Sequence, residues 1–184
     1  MNKNIIGHPE GEVYEKYYLR LYNLSYAVLK DRMLAEEAMH DTLLKYFEIQ
    51  EKYGNIREPD KWLTTVCINR SIDMLRKRKA NKMLFSDDLE TLLGIEKVEQ
   101  FTQEHEEDSQ FFLEMQGISL IKLKEAVLSM APGYRLIITL IYYEGMDYEE
   151  ISLITGLKEA TVRSQFLRAK KRLATILKDY KKGY

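Results

Sequence analysis

The chain has 184 residues and a formal net charge of −1, with 45% hydrophobic and 11% aromatic residues. That content supports packed cores in one domain or two small ones. With 9 Gly, 3 Pro and a single cysteine, and no regularly alternating segment, it points to an all-α class and excludes an internal disulfide framework. No run is apolar enough to span a membrane, and the polar start MNKNIIGHPEGE is not a signal-peptide pattern. A reducing cytoplasm is the expected location, without direct membrane insertion.

The near-zero net charge hides segregation. Residues 1–68 carry −2, 69–82 carry +5, 83–118 carry −9, 119–157 carry −2 and 158–184 carry +7. Two basic clusters therefore flank an acidic connector, an electrostatic footprint suited to a polyanion.

In chain order, residues 10–29 pattern as a helix with Val13, Tyr17, Leu21, Leu24 and Val28 inward. Asp31 is placed to cap a second helix, in which Leu34, Ala38, Leu44 and Phe47 supply the apolar spacing and Glu36, Glu37 and Asp41 take other faces. Glu51 to Glu58 carries turn chemistry and reads as an exposed loop. Pro59 fits the first turn of a third helix over about Asp60–Asn81.

In that third helix Ile68, Ile72 and Leu75 share a core-facing side, and Cys67 reads as an inert core residue. Trp62, Thr65, Asn69, Asp73 and Arg76 line another side, which runs into Arg76-Lys77-Arg78-Lys79. An aromatic beside hydrogen-bonding groups and a cationic end suits unstacked single-stranded bases. The same pattern also fits a core tryptophan with a solvated polar face.

Ser86 to Gly117 has little periodicity and reads as an acidic linker. Its run Glu104-His105-Glu106-Glu107-Asp108 has no second ligand cluster, so it reads as solvated charge, and neither metal nor cofactor is expected. From Ser119, Leu120, Leu123, Val127, Leu128 and Met130 pattern one helix. Pro132-Gly133 breaks it, and Leu136–Tyr143 forms an apolar second helix that Gly145 ends.

Asp147 to Leu173 then reads as two helices around a tight turn. Asp147 and Glu150 have capping-box spacing, Ile151 and Ile154 give an apolar side, Gly156 permits the turn and Leu157 plugs it. In the last helix Val162, Phe166, Ala169 and Leu173 form a narrow inward stripe. Ala160, Ser164, Leu167, Arg168 and Lys171 fall opposite, flanked by Arg163 and Arg172. Small, polar and basic side chains on a braced helix suit a DNA major groove, while a solvated basic helix in an ordinary bundle remains the plainer reading.

Ala35–Phe47 (AEEAMHDTLLKYF), Lys61–Lys79 (KWLTTVCINRSIDMLRKRK) and the C-terminal segment together resemble the extracytoplasmic-function (ECF) sigma factors, small specificity subunits of bacterial RNA polymerase. The resemblance covers about residues 10–82 and 119–178. It implies two small helical domains: residues 1–82 for polymerase docking and −10 element recognition and melting, and 119–184 for reading the −35 element. Residues 83–118 would be the linker.

It further implies that Glu37, His40, Asp41 and Leu44 dock on the β′ clamp of core polymerase, with a further contact to the β subunit. Tyr53, Trp62, Asn69, Asp73, Arg76, Lys77 and Lys79 would serve the −10 element, with Tyr53 at a flipped base and Trp62 at strand separation. Thr161, Arg163, Ser164, Gln165, Leu167, Arg168 and Lys171 would serve the −35 element; arginine to guanine and glutamine to adenine are the geometric expectations. An anti-sigma partner, often membrane-bound in the family, is implied as well, and free protein is expected to bind DNA poorly.

Two other classes compete. A helix-turn-helix regulator would bind a palindromic site without polymerase, but it does not account for the second helix or the Trp62–Lys79 stripe. An enzyme has least support, since His8, His40 and His105 lie in unrelated contexts and no P-loop, nucleophile motif or metal-ligand spacing occurs.

Overall fold

In a computed structural model the described residues are 9–80 and 117–182, and among them all regular structure is α-helical. The chain divides into two compact units, Met1–Leu84 and Phe85–Tyr184. The expected linker, including its Glu104–Asp108 run, lies outside the described residues apart from Gly117 and Ile118.

The described residues of the first unit form three helices, each packed on the other two: α1 (Pro9–Leu29), α2 (Arg32–Tyr53) and α3 (Pro59–Ala80). Tyr17, Leu21, Leu24 and Val28 of α1 are buried as their spacing predicts, while Val13 is only half-buried. A two-residue connection joins α1 to α2. Lys30 takes the left-handed conformation (φ 50°) and its N–H bonds the Tyr26 carbonyl. Asp31 then caps α2, its carboxylate accepting from the Met33 and Leu34 amides at 3.1 and 3.2 Å.

Two expectations for α2 are corrected. Its buried face is Ala35, Ala38, Met39, Thr42, Leu43 and Tyr46, whereas Leu34 and Phe47 are half-buried and Leu44 is 60% exposed. Small residues at 35 and 38 let neighbouring helices approach closely, and the register this sets turns Leu44 outward. The helix also runs on through Glu51, Lys52 and Tyr53 before Gly54 ends it at φ 83°. Tyr53 is therefore the last helical residue, not a loop residue.

In α3, Ile68, Ile72 and Leu75 are buried as expected, and the buried Cys67 thiol lies 3.0 Å from Ser25 Oγ.

The described residues of the second unit form four helices: α4 (Leu120–Ser129), α5 (Pro132–Tyr142), α6 (Tyr148–Thr155) and α7 (Glu159–Lys182). Leu136, Ile137, Ile138, Leu140, Ile151, Val162, Ala169 and Leu177 are 0–1% exposed and form its centre. Pro132-Gly133 does more than break α4: Pro132 opens α5, where its missing N–H costs nothing. Leu120 is 82% exposed, because it sits in the first turn of α4, while Ala126 and Val127 one to two turns later are buried. Buried Arg135 donates to the Met130 carbonyl at 2.8 Å, satisfying backbone just past the end of α4.

Candidate nucleic-acid interface

In the first unit the polar stripe of α3 faces outward in part. Trp62 is half-buried against Tyr46, ring centroids 5.9 Å apart, while Asn69, Asp73 and Lys77 are exposed. Arg76 pairs with Asp73 at 3.3 Å, yet its Nε is buried with no hydrogen-bond partner. Arg78 lies 3.7 Å from the Asp31 carboxylate. Tyr53 is 74% exposed with Lys52 Nζ 5.2 Å from its ring centre. The side chain of Lys79 lies outside the described residues.

Glu37, His40 and Leu44 of α2 are exposed and Asp41 is half-buried. His40 Nε2 lies 3.3 Å from the Tyr14 hydroxyl, which brings α1 to the edge of this face. Between α2 and α3 runs an open cleft of about 320 Å³, lined by Asp41, Thr42, Lys45, Val66, Asn69, Arg70 and Asp73. One expected docking residue, Asp41, and two expected −10 residues, Asn69 and Asp73, thus line the wall of a single cleft.

Arg70, which the sequence did not single out, forms that wall. Its Nε donates to Asp41 at 2.7 Å and one terminal nitrogen reaches both Asp41 (2.6 Å) and Glu37 (3.3 Å). Its excess charge in the basic 69–82 stretch was the available signal; its partners follow only from the register of α2 against α3. A partly exposed pair of this kind contributes about 0–1 kcal/mol.

The far end of α3 is braced separately. Arg20 pairs with Asp60 at 2.8 Å and donates to Thr64 Oγ1 at 2.8 Å. The Tyr17 hydroxyl donates to Asp60 at 3.1 Å and accepts from Lys16 Nζ at 2.8 Å. That bond with Tyr17 raises the Lys16 pKa above its ordinary value, with charge interaction between the two adding to it. Burial likewise pushes the Tyr46 hydroxyl up, with the nearby Tyr17 reinforcing it. Trp62 is therefore held at a fixed end of its helix.

In the second unit the local geometry of the helix-turn-helix is as the sequence predicts. The Asp147 carboxylate accepts from the Glu150 amide at 2.8 Å, and Glu150 accepts in return from the Asp147 amide at 3.2 Å. Gly156 sits at φ 74°, where a side chain would have open space but a strained backbone. The turn is pinned by Ser152 Oγ donating to the Leu157 carbonyl at 2.7 Å. Val162, Phe166, Ala169 and Leu173 of α7 are all buried.

The opposite side of α7 departs from expectation. Arg163 and Lys171 are exposed and Arg168 is half-buried, but Thr161, Ser164, Gln165 and Leu167 are 0–8% exposed. Lys170 is also buried, its Nζ 4.8 Å from the Phe166 ring centre. α7 packs against α4, α5 and α6. A helix with several neighbours is covered over more of its circumference than a single apolar stripe implies. Arg163 pairs with Glu159 at 3.4 Å and lies 5.4 Å from the Tyr148 ring centre.

Comparison with known proteins bears on both units. Residues 13–81, which span most of α1 and all of α2 and α3, match the family Sigma-70 region 2. Residues 120–173, from α4 into α7, match Sigma-70, region 4. The chain is 28% identical over 169 residues to the ECF RNA polymerase sigma factor SigM of Bacillus subtilis, covering 90% of this chain and 93% of that protein. The chain belongs to the ECF sigma factors.

Such a sigma factor directs core RNA polymerase to specific promoters and helps to open them for initiation. Over 150 residues this one is also 28% identical to the RNA polymerase sigma factor SigV of B. subtilis, with 82% of this chain and 80% of that protein covered. Its fold is similar to that of the sigma factor RpoE of Bartonella quintana, solved in complex with the anti-sigma factor NepR. The TM-score is 0.56, at 23% identity over 91% of this chain and 95% of that one. Among the described residues of this sigma factor no helix is long and apolar enough to cross a membrane.

Proposed function

We propose that this sigma factor divides its work between its two units. Residues 1–82 dock on the β′ clamp through Glu37, His40, Asp41 and Leu44. The same unit takes the −10 element on Tyr53, Trp62, Asn69, Asp73, Arg76, Lys77 and Lys79. Residues 119–184 read the −35 element through Thr161, Arg163, Ser164, Gln165, Leu167, Arg168 and Lys171, and the β subunit of core polymerase is a further contact of the chain. Residues 83–118 link the two. The protein acts in the cytoplasm, without cofactor and without catalysis of its own.

One observation carries this reading: Asp41 of α2 and Asn69 and Asp73 of α3 border a single cleft. Polymerase and the promoter strand would meet on adjoining surfaces, so that docking and base capture occur together. The burial of Thr161, Ser164, Gln165 and Leu167 supports a weak DNA affinity for the free chain, since a covered side chain reads no base edge. The RpoE–NepR complex supports an anti-sigma partner for this chain too.

The test is to mix the purified protein with bacterial core polymerase and follow co-elution, then run-off transcription from a genomic fragment library. A stable complex that initiates at a discrete set of sites is expected. DNA binding by the protein alone, without a polymerase complex, would overturn the assignment of α2. Asn69→Ala should impair opening and leave polymerase binding intact.

A further inference from the structure

Arg70 stands between two surfaces with different partners. Its guanidinium is held by Asp41 at 2.6–2.7 Å and by Glu37 at 3.3 Å, both on the proposed polymerase-docking face. Its own helix carries Asn69 and Asp73, and all three line the same cleft. None of the three charged groups is sequestered: side-chain exposure is 30% for Arg70, 54% for Glu37 and 39% for Asp41. Near the surface, where the effective dielectric is high, such a pair exchanges partners at small cost.

An acidic docking face recognises a cationic partner. A partner cation seated on Glu37 and Asp41 competes directly with Arg70 for the same carboxylate oxygens. The displaced guanidinium stays in the cleft, anchored to α3 beside Asn69, with a planar fork of donors that matches a phosphate. Lys45, also on the cleft wall, adds to the positive potential there once the carboxylates are engaged elsewhere.

We infer that Arg70 is a promoter-contacting residue held in reserve: a cationic polymerase surface takes Glu37 and Asp41, and Arg70 passes to a phosphate of the DNA strand in the cleft. The inference rests on the docking and −10 assignments proposed above and adds the link between them. It gives the order of events a physical basis, because the contact to DNA becomes more favourable once the contact to polymerase has formed.

The test uses the full chain, assembled with core polymerase and given a promoter fragment that the wild-type holoenzyme selects from a genomic library. Arg70→Ala should bind core at least as tightly as wild type, since the carboxylates lose an internal competitor. Its holoenzyme should bind the promoter about ten-fold more weakly, with a salt slope shallower by about 0.7, the value of one single-strand phosphate contact. Arg70→Lys, a point charge without the fork, should recover the slope and part of the affinity. In the free protein, Glu37→Gln with Asp41→Asn should raise affinity for oligo(dT), and adding Arg70→Ala should remove that gain.

Parallel loss of core and promoter affinity in Arg70→Ala, or an unchanged salt slope, would make Arg70 a structural strut and overturn the exchange. If Glu37→Gln with Asp41→Asn leaves core binding at the wild-type level, the docking assignment itself fails and the exchange falls with it.

Discussion

In the N-terminal unit, charged side chains run from helix to helix: Arg20 of α1 to Asp60 of α3, Arg70 of α3 to Glu37 and Asp41 of α2, Arg78 of α3 to Asp31 ahead of α2. The centre of the C-terminal unit is instead built from Leu136, Ile138, Ile151, Val162, Leu173 and Leu177, with Tyr142 and Tyr148 meeting Phe166 at 5.6 and 6.0 Å. Their functional faces differ in the same sense. Asn69, Asp73 and Glu37 are outward, the two carboxylates in partly exposed ion pairs with Arg76 and Arg70, whereas four of the seven proposed reader residues of α7 are buried. On the proposed assignments the first unit presents most of its site residues to partners as it stands, with the Arg70 guanidinium held back. Most of the α7 reader residues, by contrast, are covered in the free chain.

The contrast can be tested at both ends. Leu136→Ala removes a fully buried side chain and should cost about 2–5 kcal/mol. In hydrogen exchange the loss should be confined to amides of the C-terminal unit; equal loss in α1–α3 would mean that the units do not unfold separately. Arg168→Ala should weaken holoenzyme binding to a −35-containing promoter by about 1–3 kcal/mol, read by titration. Unchanged affinity would remove Arg168 from the reader. Asp147→Ala breaks the capping box and should lower the thermal stability of the C-terminal unit by about 0.5–2 kcal/mol.

Smaller effects belong to the charged unit. Arg20→Ala should cost about 0–1 kcal/mol in denaturant titration, and less still in about 1 M salt, where the Debye length is short. A salt-independent loss would assign Arg20 to packing instead. The Tyr46 hydroxyl has a raised pKa, so folding favours its neutral form. The N-terminal unit should therefore hold its full stability below the ordinary tyrosine pKa of about 10 and lose stability as pH rises through the higher folded-state value. Melts on either side of that range in wild type and Tyr46→Phe give the check: the variant should lose less.

What the sequence made legible was mostly local. The Asp147–Glu150 box, the Gly156 turn and the Asp31 cap depend on residues a few positions apart, so spacing alone defines them. The inward stripe of α7 is likewise a property of one helix. The α2 face was misread because Leu34 and Leu44 are large and apolar, while the true contact uses Ala35 and Ala38, whose small size is what permits close packing. Arg70 was not legible, since its acidic partners lie 29 and 33 residues back along the chain and meet it only through helix register. The burial of Ser164 and Gln165 was beyond reach for a related reason: a wheel gives an angle about one axis and says nothing of what covers it.

Cys67 is the only thiol in the chain, and it is fully buried beside Ser25 in the N-terminal unit. Alkylating reagents attack only a thiolate they can reach, so modification must wait for that unit to open. The reaction rate is thus a clock for one half of the molecule, while the other half, having no sulfhydryl, stays silent. Run in the presence of core polymerase or an anti-sigma partner, the same clock would slow by the free energy with which that ligand grips α1–α3, without any label, tag or engineered cysteine.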